Sequence, residues 1–140
     1  MRSPDLAADY VRRAKARLAA VDALFKEESW ADVVRESQEV VELALKGLLR
    51  AAGIEPPRIH DVSEVLMAER ERFPKAIQRN LETLAAGSRT LRRDRELAFY
   101  GAEDLTPSGF YTQEDAASAR EIARGTVAAV EPHVARTGSS

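Results

Sequence analysis

In 140 residues with a formal net charge of −2 there is room for one domain with a real core, and there is no overall basic surface to gather nucleic acid indiscriminately. Cysteine is absent, which excludes disulfides, thiol nucleophiles and thiolate metal sites, and the two histidines, His60 and His133, stand too far apart in sequence for a metal centre to be expected. No signal-like apolar run opens the sequence and no stretch reaches membrane-spanning length, so a cytoplasmic protein without membrane attachment, metal or cofactor is the expectation.

A first helix is expected from Ser3 as cap, with Pro4 at the first helical position and Asp5 facing the positive end of the dipole. Leu6, Tyr10, Ala14, Leu18, Val21 and Phe25 recur every three or four residues and predict its buried stripe. A second helix opens at "SWAD", where Ser29 and Asp32 have the spacing of a capping box. Its stripe, from Val33 and Val34 through the small polar Ser37, Val40, Val41, Ala44 and Leu45 to Leu48 and Leu49, covers nearly half the circumference. A face so wide predicts a central helix with several neighbours. Gly47 inside it forfeits about 1 kcal/mol of helix propensity relative to alanine, which close packing could offset. Gly53 and the pair Pro56-Pro57 end it.

After the proline turn a short third helix is capped by Asp61, with Glu64 three residues on. Pro74 restarts the chain as a fourth helix whose seam is Ile77, Leu81, Leu84, Ser88, Leu91, Arg95 and Ala98. Two glycines and a proline between Tyr100 and Tyr111 predict a loop. Thr112 with Asp115 caps a fifth helix of small face, Ala116, Ala119, Ala123, Thr126 and Val130, which Pro132 is expected to end. The architecture that follows is all-α: an antiparallel up-and-down bundle of about five helices, one domain over residues 1–135 with a frayed tail at 136–140.

Arg95 falls in the middle of an otherwise buried seam. A guanidinium there must be paired, for example with Glu42, or must put its head into water or a polar cleft, because stranded charge costs several kcal/mol. The segments "VVRESQEVVELALKGLL", "GIEPPRIHDVSEVL" and "RELAFYG", followed by an alanine-rich helix, resemble in their order a HEPN domain, from about Leu6 to Val130. The most specific elements are the Glu42-x-x-x-Lys46 spacing followed by Leu48-Leu49, and the His60-Asp61 pair after a proline turn.

The resemblance implies a helical bundle that forms symmetric homodimers. It also implies a small nucleotidyltransferase as partner in a toxin–antitoxin-type pair, or a nucleotide or RNA phosphate as ligand. Catalytic members of the family are metal-independent ribonucleases with an Arg-x(4–6)-His motif on the penultimate long helix. Here Arg95 has the arginine's place, but Tyr100 stands where the histidine belongs, and Arg89, Arg92 and Arg93 have no histidine within reach either. A phenol titrating near 10 is a poor base at neutral pH, whereas arginine still binds phosphate. The reading is therefore a binding module without hydrolytic activity and with no assignable catalytic residue. Its alternative is a ribonuclease toxin with an atypical active site.

Arg95, Tyr100, Arg92, Glu42 and Lys46 are the candidate anion-binding residues. Glu42 and Lys46 also suit an ordinary i, i+4 surface pair. Arg89, Arg92 and Arg93 read as a solvated run, or as a basic cleft duplicated in a dimer. His60 reads as a turn histidine and His133 as a solvated one beyond the last helix. Glu103 and Asp104 read as capping and solvated acids, and Tyr100, Phe110 and Tyr111 as rings that pack the loop onto the bundle. Neither a glycine-rich phosphate loop nor a Ser/His/Asp arrangement is present.

Overall fold

The computed structural model describes the backbone of residues 3–58, 61–100 and 111–134, and all their side chains except those of 3–4 and 94–100. Five α-helices lie among the described residues: α1 (Ser3–Lys26), α2 (Trp30–Ala51), α3 (Val62–Ala68), α4 (Lys75–Tyr100) and α5 (Gln113–Val134). A single 3₁₀ turn, Arg70–Arg72, joins α3 to α4. No strand occurs among the described residues, and no helix among them is long and apolar enough to cross a membrane.

Direction follows from the side chains that meet. Gly47 of α2 lies against Val11 and Ala7 of α1, and Arg17 donates to Glu36 at 2.7 Å, so α1 and α2 are antiparallel. Lys15 reaches Glu131 at 2.6 Å and Arg124 reaches Asp22 at 2.9 Å, so α5 also opposes α1. Pro74, just before α4, lies beside His133 near the end of α5 and Ala51 at the end of α2, while Gly87 faces Ile122 midway. α4 therefore opposes both, and the order is up, down, up, down, with α3 as a short brace on α4. α2 packs against α1, α4 and α5, the central position that its wide apolar face predicts.

Local chemistry sets the helix ends. α2 closes in a Schellman motif: the Gly53 N–H donates to the Arg50 carbonyl and the Ile54 N–H to the Leu49 carbonyl, with Gly53 left-handed at φ 77°. α1 closes in the same motif, Glu28 N–H to Phe25 and Ser29 N–H to Leu24, but the left-handed residue is Glu28 at φ 60°. This turn overturns the expected capping box at Ser29. The Ser29 backbone, at φ −89° and ψ 73°, lacks the extended cap conformation, and its hydroxyl donates to Asp32 Oδ2 at 2.6 Å instead of accepting from a backbone N–H. Thr112 and Asp115 do form the reciprocal box, at 2.9 and 3.1 Å, and the Asp61 side chain accepts the Ser63 N–H at 2.9 Å.

Three other expectations are corrected. The centre of the α1 stripe is Ala7, Val11, Ala14 and Val21, while Leu6, Tyr10, Leu18 and Phe25 are half-buried along its margins. Small residues take the centre because Gly47 brings the two helices too close for leucine. Pro132 does not end α5: the helix runs through it to Val134, whose buried side chain holds the last turn to the core. His133 consequently lies within that last turn, half-buried beside Leu48, Arg72 and Phe73, and not in solvent beyond it. The small face of α5 is as expected, with Ala116, Ala119, Ala123, Thr126 and Val130 all buried. Tyr111 is buried at the entrance to α5, as a ring packing onto the bundle should be. The Ser3 side chain expected to cap α1, the loop at 101–110 with Glu103, Asp104 and Phe110, and the tail at 136–140 lie outside what the structure describes.

Candidate functional site

The fourth helix presents different chemistry on each side. Ile77, Leu81, Leu84, Ser88 and Leu91 are buried against the bundle. At about 100° per residue, Ala86, Arg89, Thr90 and Arg93 fall on the opposite side. Arg92 lies on the flank between, about 60° from the seam. That flank, shared with buried Ala85, faces α3.

On this outer side, with Asp61 at one end, the arginines line an open cleft of about 550 Å³. Arg92 Nη1 stands 3.8 Å from Asp61 Oδ1, an ion pair but too long for a direct hydrogen bond. Both partners are partly exposed, 39% and 28%, so the pair is worth at most about 1 kcal/mol. Asp61 does not swing to meet the arginine, because the same Oδ1 accepts the Ser63 N–H that starts α3. Among the described residues Arg89 is exposed and engages no acid. Arg93 projects one turn further along the same line. Three guanidinium groups around one concavity bind oxyanions well, and their planar forks suit phosphate in particular.

The candidates from sequence divide accordingly. Arg92 is in the cleft, and Arg89 and Arg93, both exposed, line it as well. Glu42 and Lys46 are half-buried on α2 and do not line the cleft. Their expected surface pair is also absent: Glu42 accepts from Gln38 Nε2 at 3.2 Å, one turn back, in place of Lys46. Arg95 and Tyr100 belong to the last turns of α4, so the helix continues through "RELAFY", but their side chains lie outside the described residues, as does His60. Asp61 is the cleft residue that sequence reasoning assigned only a capping role. Its sole signal was adjacency to His60 in a motif, and nothing local linked it to Arg92.

Two further concavities lack this chemistry. The groove between α4 and α5, about 360 Å³, is mostly apolar and floored by Gly87, Ile122 and Gly125. A smaller hollow of about 270 Å³ beside His133 holds Arg72, which already donates to the Ala52 and Gly53 carbonyls at 3.2 Å. No group of three or more metal-ligating side chains occurs among the described residues.

In comparison with known proteins, the family model of the HEPN domain matches residues 7–133. No curated protein and no solved structure matches the chain.

Proposed function

The chain belongs to the HEPN domain family, and from that premise we propose that it is a homodimeric binding module that holds a phosphate-bearing ligand, a nucleotide or an RNA segment, without hydrolysing it. In a toxin–antitoxin-type pair its protein partner is a small nucleotidyltransferase. The observation that carries this reading is the cleft of Arg89, Arg92 and Arg93 on the outer side of α4. Support for the absence of hydrolysis comes from sequence. Four residues separate Arg95 from Tyr100, and no imidazole lies in the span where family ribonucleases place their base.

Binding and cleavage are tested together. Fluorescence anisotropy with a short labelled single-stranded RNA is expected to show arginine-dependent binding. Arg89→Glu or Arg93→Glu weakens it by about tenfold, and each phosphate left without its arginine makes the log–log salt slope shallower by about 0.7. The same RNA, incubated with protein in chelator, stays intact. Cleavage that vanishes in both Arg95→Ala and Tyr100→Phe would overturn the non-hydrolytic reading and make the tyrosine catalytic. Binding indifferent to both charge reversals would remove the cleft from consideration.

A further inference from the structure

An anion site built only for charge has no use for a carboxylate at its rim, and this cleft has one that is fixed in place. Asp61 Oδ1 is held by the Ser63 N–H at 2.9 Å, and Arg92 approaches the same oxygen at 3.8 Å. Among the described residues Oδ2 receives no hydrogen bond, although the side chain is 28% exposed at the mouth of the cleft. The cavity therefore presents two unlike ends: guanidinium donors along α4, and one anchored acceptor at the start of α3. A plain polyanion would gain nothing at the second end, where Asp61 and Arg92 offset each other's charge. A ligand that carries phosphate at one end and a hydrogen-bond donor at the other would satisfy both.

Size narrows the class. About 550 Å³ lies within the range of small-ligand sites and gives room for about one nucleotide unit, whether free or part of a strand that continues out of the open cleft. Arg89 and Arg93 stand one helical turn apart, about 6 Å, close enough to share one phosphate or take two consecutive ones. A ribonucleotide unit has the required pair of groups, since a ribose hydroxyl donates to a carboxylate and is the group that separates RNA from DNA.

Resting on the reading of the cleft as the ligand site, we infer that Asp61 is its specificity-determining residue: it accepts a hydrogen bond from a ribose hydroxyl while Arg89 and Arg93 hold the phosphate, so the site selects ribonucleotides over deoxyribonucleotides. Arg92 pairs with the acceptor, which the cap already holds in place, until a ligand arrives. Because this is a long, half-exposed ion pair, a ligand displaces it at a loss of no more than about fivefold in affinity. The source of the unit, a free nucleotide or a residue within a chain, is left to the probes.

The test uses the full chain and paired probes: adenosine and deoxyadenosine monophosphate, and an RNA and a DNA single strand of one sequence. The parent is expected to prefer ribose by about tenfold, the value of one hydrogen bond to a charged acceptor. Asp61→Asn keeps the cap, since asparagine caps as well as aspartate, but removes the negative charge and turns a donor toward the ligand. Asp61→Ser also caps, and its shorter side chain withdraws the acceptor altogether. Both variants should melt within a few degrees of the parent, bind the deoxy probes several-fold more tightly, and show a ribose preference below about twofold. Preference in the mononucleotide pair alone identifies a free nucleotide as ligand, and preference in the strand pair alone identifies RNA; either supports the inference.

A preference that survives both substitutions overturns it and leaves Asp61 as a structural partner of Arg92. Equal binding of ribose and deoxyribose by the parent overturns it as well. If Arg89→Glu and Arg93→Glu change no affinity, the cleft reading has failed first, and the two failures are thereby distinguished.

Discussion

Replacing glycine by alanine at three helical positions should give three different answers, each set by what the new methyl group meets. In every case the helix gains about 1 kcal/mol of propensity. At Gly125 the added Cβ has nothing within 4 Å, so the gain is kept and Gly125→Ala stabilises by roughly that amount. At Gly87 the Cβ would stand 2.8 Å from Ile122 Cγ2, a branch methyl on a side chain stiff at χ1 within its helix. It yields only by leaving its preferred rotamer at about 1 kcal/mol, and the two effects come near to cancelling. At Gly47 the neighbours are Val11 Cγ2 at 3.0 Å, the Ala7 carbonyl oxygen at 3.1 Å and Tyr10 Cβ at 3.3 Å. Two of these are fixed to the α1 backbone, so relief requires the helices to part. Overpacking of that kind costs about 1–3 kcal/mol, and Gly47→Ala should be destabilising by about 1 kcal/mol net.

The difference between Gly125→Ala and Gly47→Ala is thus about 2 kcal/mol, or roughly 6–8 °C in melting temperature for a domain of this size. Thermal denaturation followed by circular dichroism at the helical minimum resolves it. If Gly47→Ala stabilised as much as Gly125→Ala, the close approach of α1 and α2 would be refuted, and with it the reason for small residues along the α1 stripe.

Glu28, left-handed at φ 60° in the turn that closes α1, stands where glycine normally stands, so Glu28→Gly should raise stability by about 1 kcal/mol; a loss measured by urea denaturation would show that its side chain does more than tolerate the turn. The purified protein should scatter light with twice the 15.4 kDa of one chain at micromolar concentration, and a monomer mass would count against the proposed dimer. The RNA-binding and ribose-preference experiments complete the set, with charge reversals at Arg89 and Arg93 reading the cleft and substitutions at Asp61 reading its selectivity.

Elements set by contacts within one turn were legible in the sequence. The Thr112–Asp115 box, the Asp61 cap, the Gly53 stop and the alanine face of α5 each depend on neighbours three or four residues away. Wherever two rules competed for the same residues, the sequence could not rank them. Ser29 has capping spacing, but the left-handed Glu28 ahead of it sets a backbone from which the hydroxyl meets Asp32 instead. Glu42 can pair forward with Lys46 or back with Gln38, and a half-buried carboxylate took the amide. Pro132 forbids one hydrogen bond, yet the buried Val134 keeps the final turn in place. The cleft was half legible: periodicity puts Arg89 and Arg93 on one side of α4, but the meeting of Arg92 with Asp61 depends on how α3 braces α4, a tertiary fact without a local signature.

The placement of Arg92 connects the cleft to the opening of α3. It lies on the flank of α4, between the buried seam and the arginine line, and the acid it meets there is the residue that caps the adjacent helix. A phosphate that drew Arg92 toward Arg89 would remove an ion pair from Asp61 without touching its hydrogen bond to Ser63, since the bond is short and local while the pair is long and half-exposed. The cap would persist, α3 would stay folded, and the freed carboxylate would remain aimed at the ligand. Had Asp61 depended on Arg92 for its position, occupancy would have dispersed the acceptor just when it was needed. Because the cap holds it independently, the acceptor is preorganised, and selectivity does not have to be assembled upon binding.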